Sequence, residues 1–505
     1  MIVKSEKDLV NTYTLDSSNF RGEAEKVYIP ENEVELAELL KELNSQNKLV
    51  TISGAGTGLA GGRVPKGGVV VSSEKFNKII EFNENKKTIT VQSAVTTNEI
   101  SEILEENGYF LPTNPTETTA SIGGNVSTNA SGSRTYLYGS MRNFVEELRI
   151  ILTNGEILIL NRNIKVDKVQ NENLKEVISL TTLSGKEIQL PILNYEIPKF
   201  KHSAGYYTSQ NIHPIDYFIG AEGTLGFISE ITLNVMKKPD NILGLIVFFD
   251  DINKCISFVE ELQNNKINYN DNSYKNLTTA NPRLIEFFDK YSLKMLREKY
   301  TQIGTQYESA IWVEQELFFE HGINNEEKSD LILSSWYDLI VKYTNLSDET
   351  WVAQTPDEHR KFTEFRHTLP EKVYELIAQN NQYKVGVDGA VPNGNLSNLY
   401  NAIVEKSEKY NLNRVIYGHI GNNHLHGNVF YENERDKENA QKFYDEALEQ
   451  VLKMKGTVSA EHGIGKLKVK YLEKMFGSEI INQMRSLKTS LDPNHILNIG
   501  NLFNF

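Results

Sequence analysis

The sequence predicts an α+β protein with more than one core, and three observations carry that expectation. The chain has 505 residues, beyond the roughly 250–300 at which a single core stops growing. Three glycine clusters stand beside strand-like runs in its first half. Beyond residue 239, long helices alternate with strands of the antiparallel type, the pattern of an α+β unit.

After a polar opening, residues 32–44 read as an amphipathic helix. Leu49-Val50-Thr51-Ile52-Ser53 reads as a strand running straight into the glycine loop at 54–62. Residues 68–72 and 88–92 are strand-like, and 97–107 have helical periodicity. Pro112-Thr113-Asn114-Pro115 then leads into the small-residue stretch 119–133. Residues 146–153 and 156–160, joined by Asn154-Gly155, read as a β-hairpin. Residues 161–200 are charged and irregular and read as an insertion. Gly220-Ala221-Glu222-Gly223-Thr224-Leu225-Gly226 precedes a strand at 227–236, and Lys237-Lys238-Pro239 marks a boundary. Residues 243–249, 309–316 and 383–391 are expected strands, and 253–263, 329–342 and 396–410 expected helices. The expected division is 1–238, 239–455 and a C-terminal segment 456–505.

Composition narrows the function. The formal charge of −14 argues against a nucleic-acid binder, which needs clustered positive charge. Cys255 is the only cysteine, so no intramolecular disulfide, thiolate zinc site or iron–sulfur centre is expected. The first nine residues have no apolar core of signal-peptide length. The clearest apolar run, 242–249, is half the length of a membrane span. The expected location is cytoplasmic, with peripheral docking at a membrane left open.

Seven of the residues from 54 to 68 are glycine. Glycine admits positive φ and lets backbone N–H groups approach a ligand, so such loops form anion-binding nests. There is no Gly-Lys-Ser/Thr ending, so this is not a Walker loop, and no helix plainly begins inside the glycines as a dinucleotide turn requires. The same grammar recurs at 119–132 and 220–226. Three such clusters are costly in conformational entropy unless they converge on something, and a large flat phosphate-containing cofactor would justify them.

The second signal is a run of histidines. Four of the ten lie between positions 419 and 462, in His419-Ile420-Gly421-Asn422-Asn423-His424-Leu425-His426 and Ala460-Glu461-His462-Gly463. A turn at Gly421-Asn422-Asn423 can bring His419 near His426, while His424 and His426 alternate onto one strand face. Glu461 then completes a His-His-Glu set with open positions, the pattern of a catalytic divalent site. His462 is a candidate base beside it.

Residues 52–65, 112–132 and 219–233 resemble the three signature stretches of the PCMH-type FAD-binding domain of the vanillyl-alcohol oxidase superfamily. The similarity, of which Glu222-Gly223-Thr224-Leu225-Gly226 is the most specific part, runs in order over nearly the whole chain. The branch it resembles holds D-lactate, glycolate and D-2-hydroxyglutarate dehydrogenases. The resemblance implies a PCMH-type FAD-binding domain, an α+β (ferredoxin-like) substrate domain, and a C-terminal segment returning to the flavin. It implies FAD held near Gly54, Ala55, Gly56, Thr57, Gly58 and Leu59 by its pyrophosphate. Pro112, Thr113, Asn114, Pro115, Thr119, Gly123, Gly124, Asn125, Ser127, Gly132, Glu222 and Gly223 would line it, with Ile228 near the adenine end and Asn498 on the flavin side. Thr57 stands where covalent binders have a histidine, so the FAD is expected to be non-covalent.

By the same resemblance His419, His426 and Glu461 hold a divalent metal, Zn2+ being the expected ion, and His462 is the base. Arg366 and Lys384 are the implied carboxylate-binding cations. Asn422-Asn423-His424 replaces the branch's Asp-Gly-Asn, leaving His424 as a supporting residue or an alternative ligand. Asn498-Ile499-Gly500 replaces its Asn-Pro-Gly. The expected reaction is FAD-dependent oxidation of a D-2-hydroxy acid to the 2-oxo acid. Its electrons would pass to a separate acceptor, whether a quinone, an iron–sulfur partner or an electron-transfer flavoprotein; a homodimer is left open. The alternatives are a non-redox flavoenzyme of the alkylglycerone-phosphate synthase type, whose histidine run is absent here, a metal-dependent hydrolase, and a silent FAD-binding electron-transfer subunit.

Overall fold

The computed structural model describes residues 1–113, 115–164, 167–170, 176–271, 273–319 and 325–505. It is α+β, as expected. The first half is built on two sheets. One joins Ile2–Lys4, Lys26–Ile29, Val69–Ser72 and Val50–Ser53 in that order, with the last three strands parallel. The other is antiparallel, in the order Ile79–Asn83, Thr88–Gln92, Phe227–Asn234, Val145–Ile151, Ile157–Asn161. Its last two strands are the expected hairpin. Helix Glu33–Ser45 starts where the Asn32 side chain accepts from the Glu35 N–H. It buries Leu36, Leu39, Leu40 and Leu43, one stripe at helical spacing. Each such leucine contributes roughly 1.5–3 kcal/mol of apolar burial.

Residues 161–200 differ from the irregular insertion expected of them. Their described part holds a three-stranded antiparallel sheet, Asp167–Gln170, Glu176–Thr181 and Glu187–Pro191. Val177, Ile178, Leu180 and Leu190 are buried, and such sparse apolar residues among charges hide the strand period.

The second half centres on a seven-stranded antiparallel sheet. Its order is Trp351–Ala353, Asn241–Phe249, Ser309–Leu317, Leu284–Asp289, Arg414–Gly418, His424–Tyr431, Tyr383–Ala390. Helices Ile252–Asn264, Asn325–Tyr343 and Leu396–Lys409 fall at or near their expected places. The 25-residue helix Pro356–Asn380 begins with a capping box between Thr355 and Glu358 and a proline in its first turn.

Register in this sheet decides the chemistry. Asp388 and Tyr417 both pair with His426, and Gly418 pairs with Phe287, the neighbour of Glu286. Gly418, at φ 131°, leaves no room for a side chain, because a Cβ there would stand 2.7 Å from the His426 ring. The chain then passes through a short turn at Ile420–Asn422.

The C-terminal segment ties the halves together. Thr457 bridges Ala390, and the Ala460 N–H donates to the Asp388 carbonyl at 2.8 Å. Further on, Leu497 bridges Val50, and the Asn498 N–H donates to the Val50 carbonyl at 2.8 Å. Among the described residues, no helix is long and apolar enough to cross a membrane.

Cys255 lies fully buried on helix Ile252–Asn264, and burial pushes its thiol up to about 12. The thiolate is the reactive form. Cys255 is therefore expected to label with a thiol reagent only as fast as the chain unfolds; rapid labelling of the native protein would show that helix Ile252–Asn264 opens without unfolding.

Candidate active site

The three glycine clusters converge. A cavity is bounded by residues 54–58, by Gly123, Gly124, Asn125 and Ser127, and by Glu222, Gly223 and Ile228. Asn498 and His462 from the C-terminal segment complete it. Its walls suit a flat phosphate-bearing cofactor. A Cβ on Gly58 would meet nothing nearer than Asp16 Oδ2 at 3.8 Å, so the backbone there is open to close approach. Ser93 Oγ and Asp16 Oδ2, on residues lining the cavity, are buried without hydrogen-bond partners. Arg63 also lines it, next to the glycine loop, its Nη1 donating to the Gly54 carbonyl at 3.0 Å. A cation among backbone N–H groups is the donor set a pyrophosphate needs. These residues fit FAD.

Six of the expected contacts lie elsewhere, among them Pro115, which is buried away from the cavity lining. Leu59 points into solvent. Pro112 and Thr113 are buried, and the Thr113 hydroxyl faces Met141 Sδ at 3.9 Å. Thr119 hydrogen-bonds Glu117, and the Gly132 N–H donates to Thr135 Oγ1 at 2.8 Å. The reason is common to them: a contiguous stretch turns only part of itself toward a cavity. Asn114 lies outside the described residues.

Glu222 and Asn498 act as fasteners on this cavity. The Glu222 carboxyl accepts from the Ile464 and Gly465 N–H groups at 2.7 and 2.6 Å. Burial raises it to about 7 against the pull of those two bonds. Asn498 Oδ1 accepts from the Ile52 N–H at 2.7 Å, and its Nδ2 donates to the Glu222 carbonyl at 3.0 Å.

Next to the cavity stands the imidazole cluster. Ligand atoms of His419, His424, His426 and Glu461 all lie within 4.8 Å of one another. His419 Nε2 is 3.1 Å and His424 Nδ1 3.8 Å from Glu461 Oε2. Burial lowers the pKa of His424 to about 4, with Lys201 adding and Asp388 and Glu461 opposing, and that of His426 well below the usual histidine value, with the other histidines adding and Glu461 opposing. Both rings are therefore neutral and carry free lone pairs. Glu461 stays ionised although burial opposes it, because Lys201 and His419 stand beside it. Imidazoles and a carboxylate without thiolates form a donor set suited to zinc and its neighbours. His424, left open from the sequence, is inside this set: its Nε2 stands 3.0 Å from Asp388 Oδ1, which leaves Nδ1 on the side of Glu461.

Behind the cluster lie residues that sequence reasoning missed. Glu286, fully buried, accepts from Arg366 Nε at 2.8 Å and hydrogen-bonds His419 Nδ1 with its other oxygen. That bond turns His419 Nε2 toward Glu461, the carboxylate–histidine arrangement that orients metal-binding imidazoles. Asp388 holds the Ser459 hydroxyl, the His462 N–H and the Lys468 ammonium, and its Oδ2 is 3.3 Å from His462 Nδ1. Burial lowers the pKa of His462, with Asp388 opposing. Its ring lies nearly parallel to His426 at 5.5 Å.

Arg366 does reach the cluster from helix Pro356–Asn380. It is buried over the Tyr417 ring, with Nη1 unpartnered. Lys384 does not reach it. Although it shares a strand face with Asp388, it stands four residues away and packs over Tyr374; the lysine at the cluster is Lys201, whose Nζ is 3.1 Å from Glu461.

Known proteins agree with this architecture. Residues 24–161 match the family described as FAD binding domain, and residues 276–502 match FAD linked oxidases, C-terminal domain. The chain is 27% identical over 498 residues to the glycolate oxidase subunit GlcD of Bacillus subtilis, covering 97% of this chain and 92% of the relative. It is likewise 27% identical to a D-lactate dehydrogenase of Anaerostipes hadrus, at 97% and 92% coverage. A solved alkyldihydroxyacetonephosphate synthase superposes with a TM-score of 0.67 at 16% identity, over 98% of this chain and 81% of that one. That likeness is one of fold alone.

Asn498→Ala removes two hydrogen bonds from a buried position. It is expected to cost about 1–3 kcal/mol, read as a lower Tm and a flavin more easily lost on gel filtration; an unchanged Tm would mean that these bonds do not fasten the segment.

Proposed function

Because the chain belongs to the FAD-linked oxidases, we propose that it oxidises a D-2-hydroxy acid of the glycolate, D-lactate or D-2-hydroxyglutarate type to the 2-oxo acid. One observation carries the reading. Glu461 and His462 are consecutive, yet Glu461 faces the imidazole cluster while His462 lines the glycine-walled cavity. A hydroxy acid held by the first is delivered to the second.

When bound, FAD supplies a hydride acceptor, and a divalent ion at His419, His426 and Glu461, with His424 as a further donor, supplies Lewis acidity toward hydroxyl and carboxylate oxygens. The chain's own share is holding the substrate and moving one proton. His462 Nδ1 faces Asp388, leaving Nε2 to take the hydroxyl proton. The depressed pKa keeps that nitrogen unprotonated before the reaction. Asp388 both orients the ring and stabilises the imidazolium that forms, the role of the buried carboxylate in any acid–histidine pair. Arg366, with Nε bound to Glu286, has Nη1 left for a carboxylate oxygen. An arginine suits that task because its planar fork matches a carboxylate. The alkylglycerone-phosphate synthase reading gives the imidazole–carboxylate cluster no redox role, and anaerobic reduction of the flavin by a hydroxy acid separates the two. Electrons leave to a separate acceptor, since a chain with one cysteine holds no iron–sulfur centre of its own.

An anaerobic screen of D- and L-2-hydroxy acids, followed by flavin absorbance with and without zinc, tests the proposal; bleaching by none of them sinks it. His462→Asn is expected to keep its flavin and to lose about 10²–10⁴-fold in the rate of bleaching. Full-speed bleaching in that variant would remove His462 from the role of base. A chelator is expected to abolish bleaching while the flavin stays bound, with zinc restoring it. Glu286→Gln should weaken zinc binding by about 10–100-fold in calorimetry and leave flavin content unchanged; unaltered zinc affinity would show that Glu286 does not orient His419.

A further inference from the structure

We infer that Lys201 is a built-in counter-cation of the imidazole–carboxylate cluster, competing with a divalent ion for Glu461. The inference rests on the metal reading above and extends it to a residue that reading does not use. Lys201 Nζ is 3.1 Å from Glu461 Oε2, the same oxygen that stands 3.1 Å from His419 Nε2 and 3.8 Å from His424 Nδ1. Its side chain is 2% exposed, so this is no surface pair. With no ion bound, the ammonium compensates a buried carboxylate that would be strongly destabilising alone.

A divalent ion changes the balance. Carboxylate oxygens bind zinc at about 2.0–2.2 Å, so an ion on Oε2 would lie within roughly 5 Å of the ammonium in its present place. Like charges at that spacing, out of water, repel strongly. The lysine has somewhere to go. It lines a second, more open cavity together with His202, Asn422 and Ala460. Asn422 Oδ1 is buried there without a partner and can accept the displaced ammonium. Glu461 is the only acceptor Lys201 Nζ has among the described residues, so nothing else holds the ammonium in place.

The test is calorimetric zinc binding to the flavin-loaded full chain, for wild type, Lys201→Met and Lys201→Arg. Removing the charge should tighten zinc binding at least tenfold. The arginine, which keeps the charge, should stay within about threefold of wild type. Equal or weaker binding by Lys201→Met overturns the inference and makes Lys201 a support for Glu461 instead. Lys201→Gln serves if the methionine variant loses its flavin or its cooperative melting. Failure of the metal reading looks different: zinc would then bind wild type and the lysine variants no better than a His419→Ala/His426→Ala double variant.

Discussion

The rest of the site depends on the pairing of residues 457–460 with the edge strand Tyr383–Ala390. Through the bonds from Thr457 to Ala390 and from Ala460 to Asp388, the chain is pinned immediately before Glu461 and His462. The chain bends at Glu461 and His462 rather than continuing as a strand or a helix. Pinned there, one residue meets the imidazoles and the next meets the flavin cavity. A helix would turn neighbours by about 100° and put neither where it is needed.

That pinning is reinforced where the segment leaves the sheet. Glu222, from the third glycine cluster, grips Ile464 and Gly465, and Asn498 stitches the chain back to Ile52 and to Glu222. The glycine clusters thus hold the C-terminal segment as well as surround the cavity. The two roles meet at Glu222, which takes a positive φ (54°) like Gly223 after it (73°): its N–H donates to the Ser127 carbonyl at 2.8 Å while its carboxyl holds the C-terminal segment.

How much of this was legible follows from the distance between partners. The histidines stood out because they are close in sequence, and one tight turn brings His419 to His424 and His426. Glycine runs beside β-rich segments announced a cofactor cradle, although the expectation named whole stretches of which only part faces inward, leaving out Leu59 and Gly132. Glu286, Asp388 and Lys201 were invisible for a different reason. Glu286 lies 133 residues before its partner His419, and Lys201 lies 260 before Glu461. Only the sheet order puts Leu284–Asp289 beside Arg414–Gly418 and Tyr383–Ala390 beside His424–Tyr431. A lone glutamate among the apolar residues of a buried strand, as in Leu284-Ile285-Glu286-Phe287-Phe288, was the one available signal, since a buried charge must have a partner. Lys384 misled by the same token: it stands in a strand whose site-facing residue is Asp388, four positions on.

The electrostatics of the cluster argue that its structural and chemical roles cannot be separated. Burial alone would neutralise Glu286, Glu461 and Asp388, yet all three stay ionised because of the groups beside them: His419 and Arg366 at Glu286, Lys201 and His419 at Glu461, His462 and Lys468 at Asp388. Burial also keeps His424, His426 and His462 uncharged, and here no neighbour reverses it. The outcome is fixed carboxylate charge around imidazoles with open lone pairs, so one group of side chains is ready to bind a cation and another to take a proton. Each carboxylate–cation pair is costly to bury and more costly to break, since removing one partner strands the other. The same pairs that lock the segment against the sheet therefore also prepare the nitrogen atoms for their chemistry.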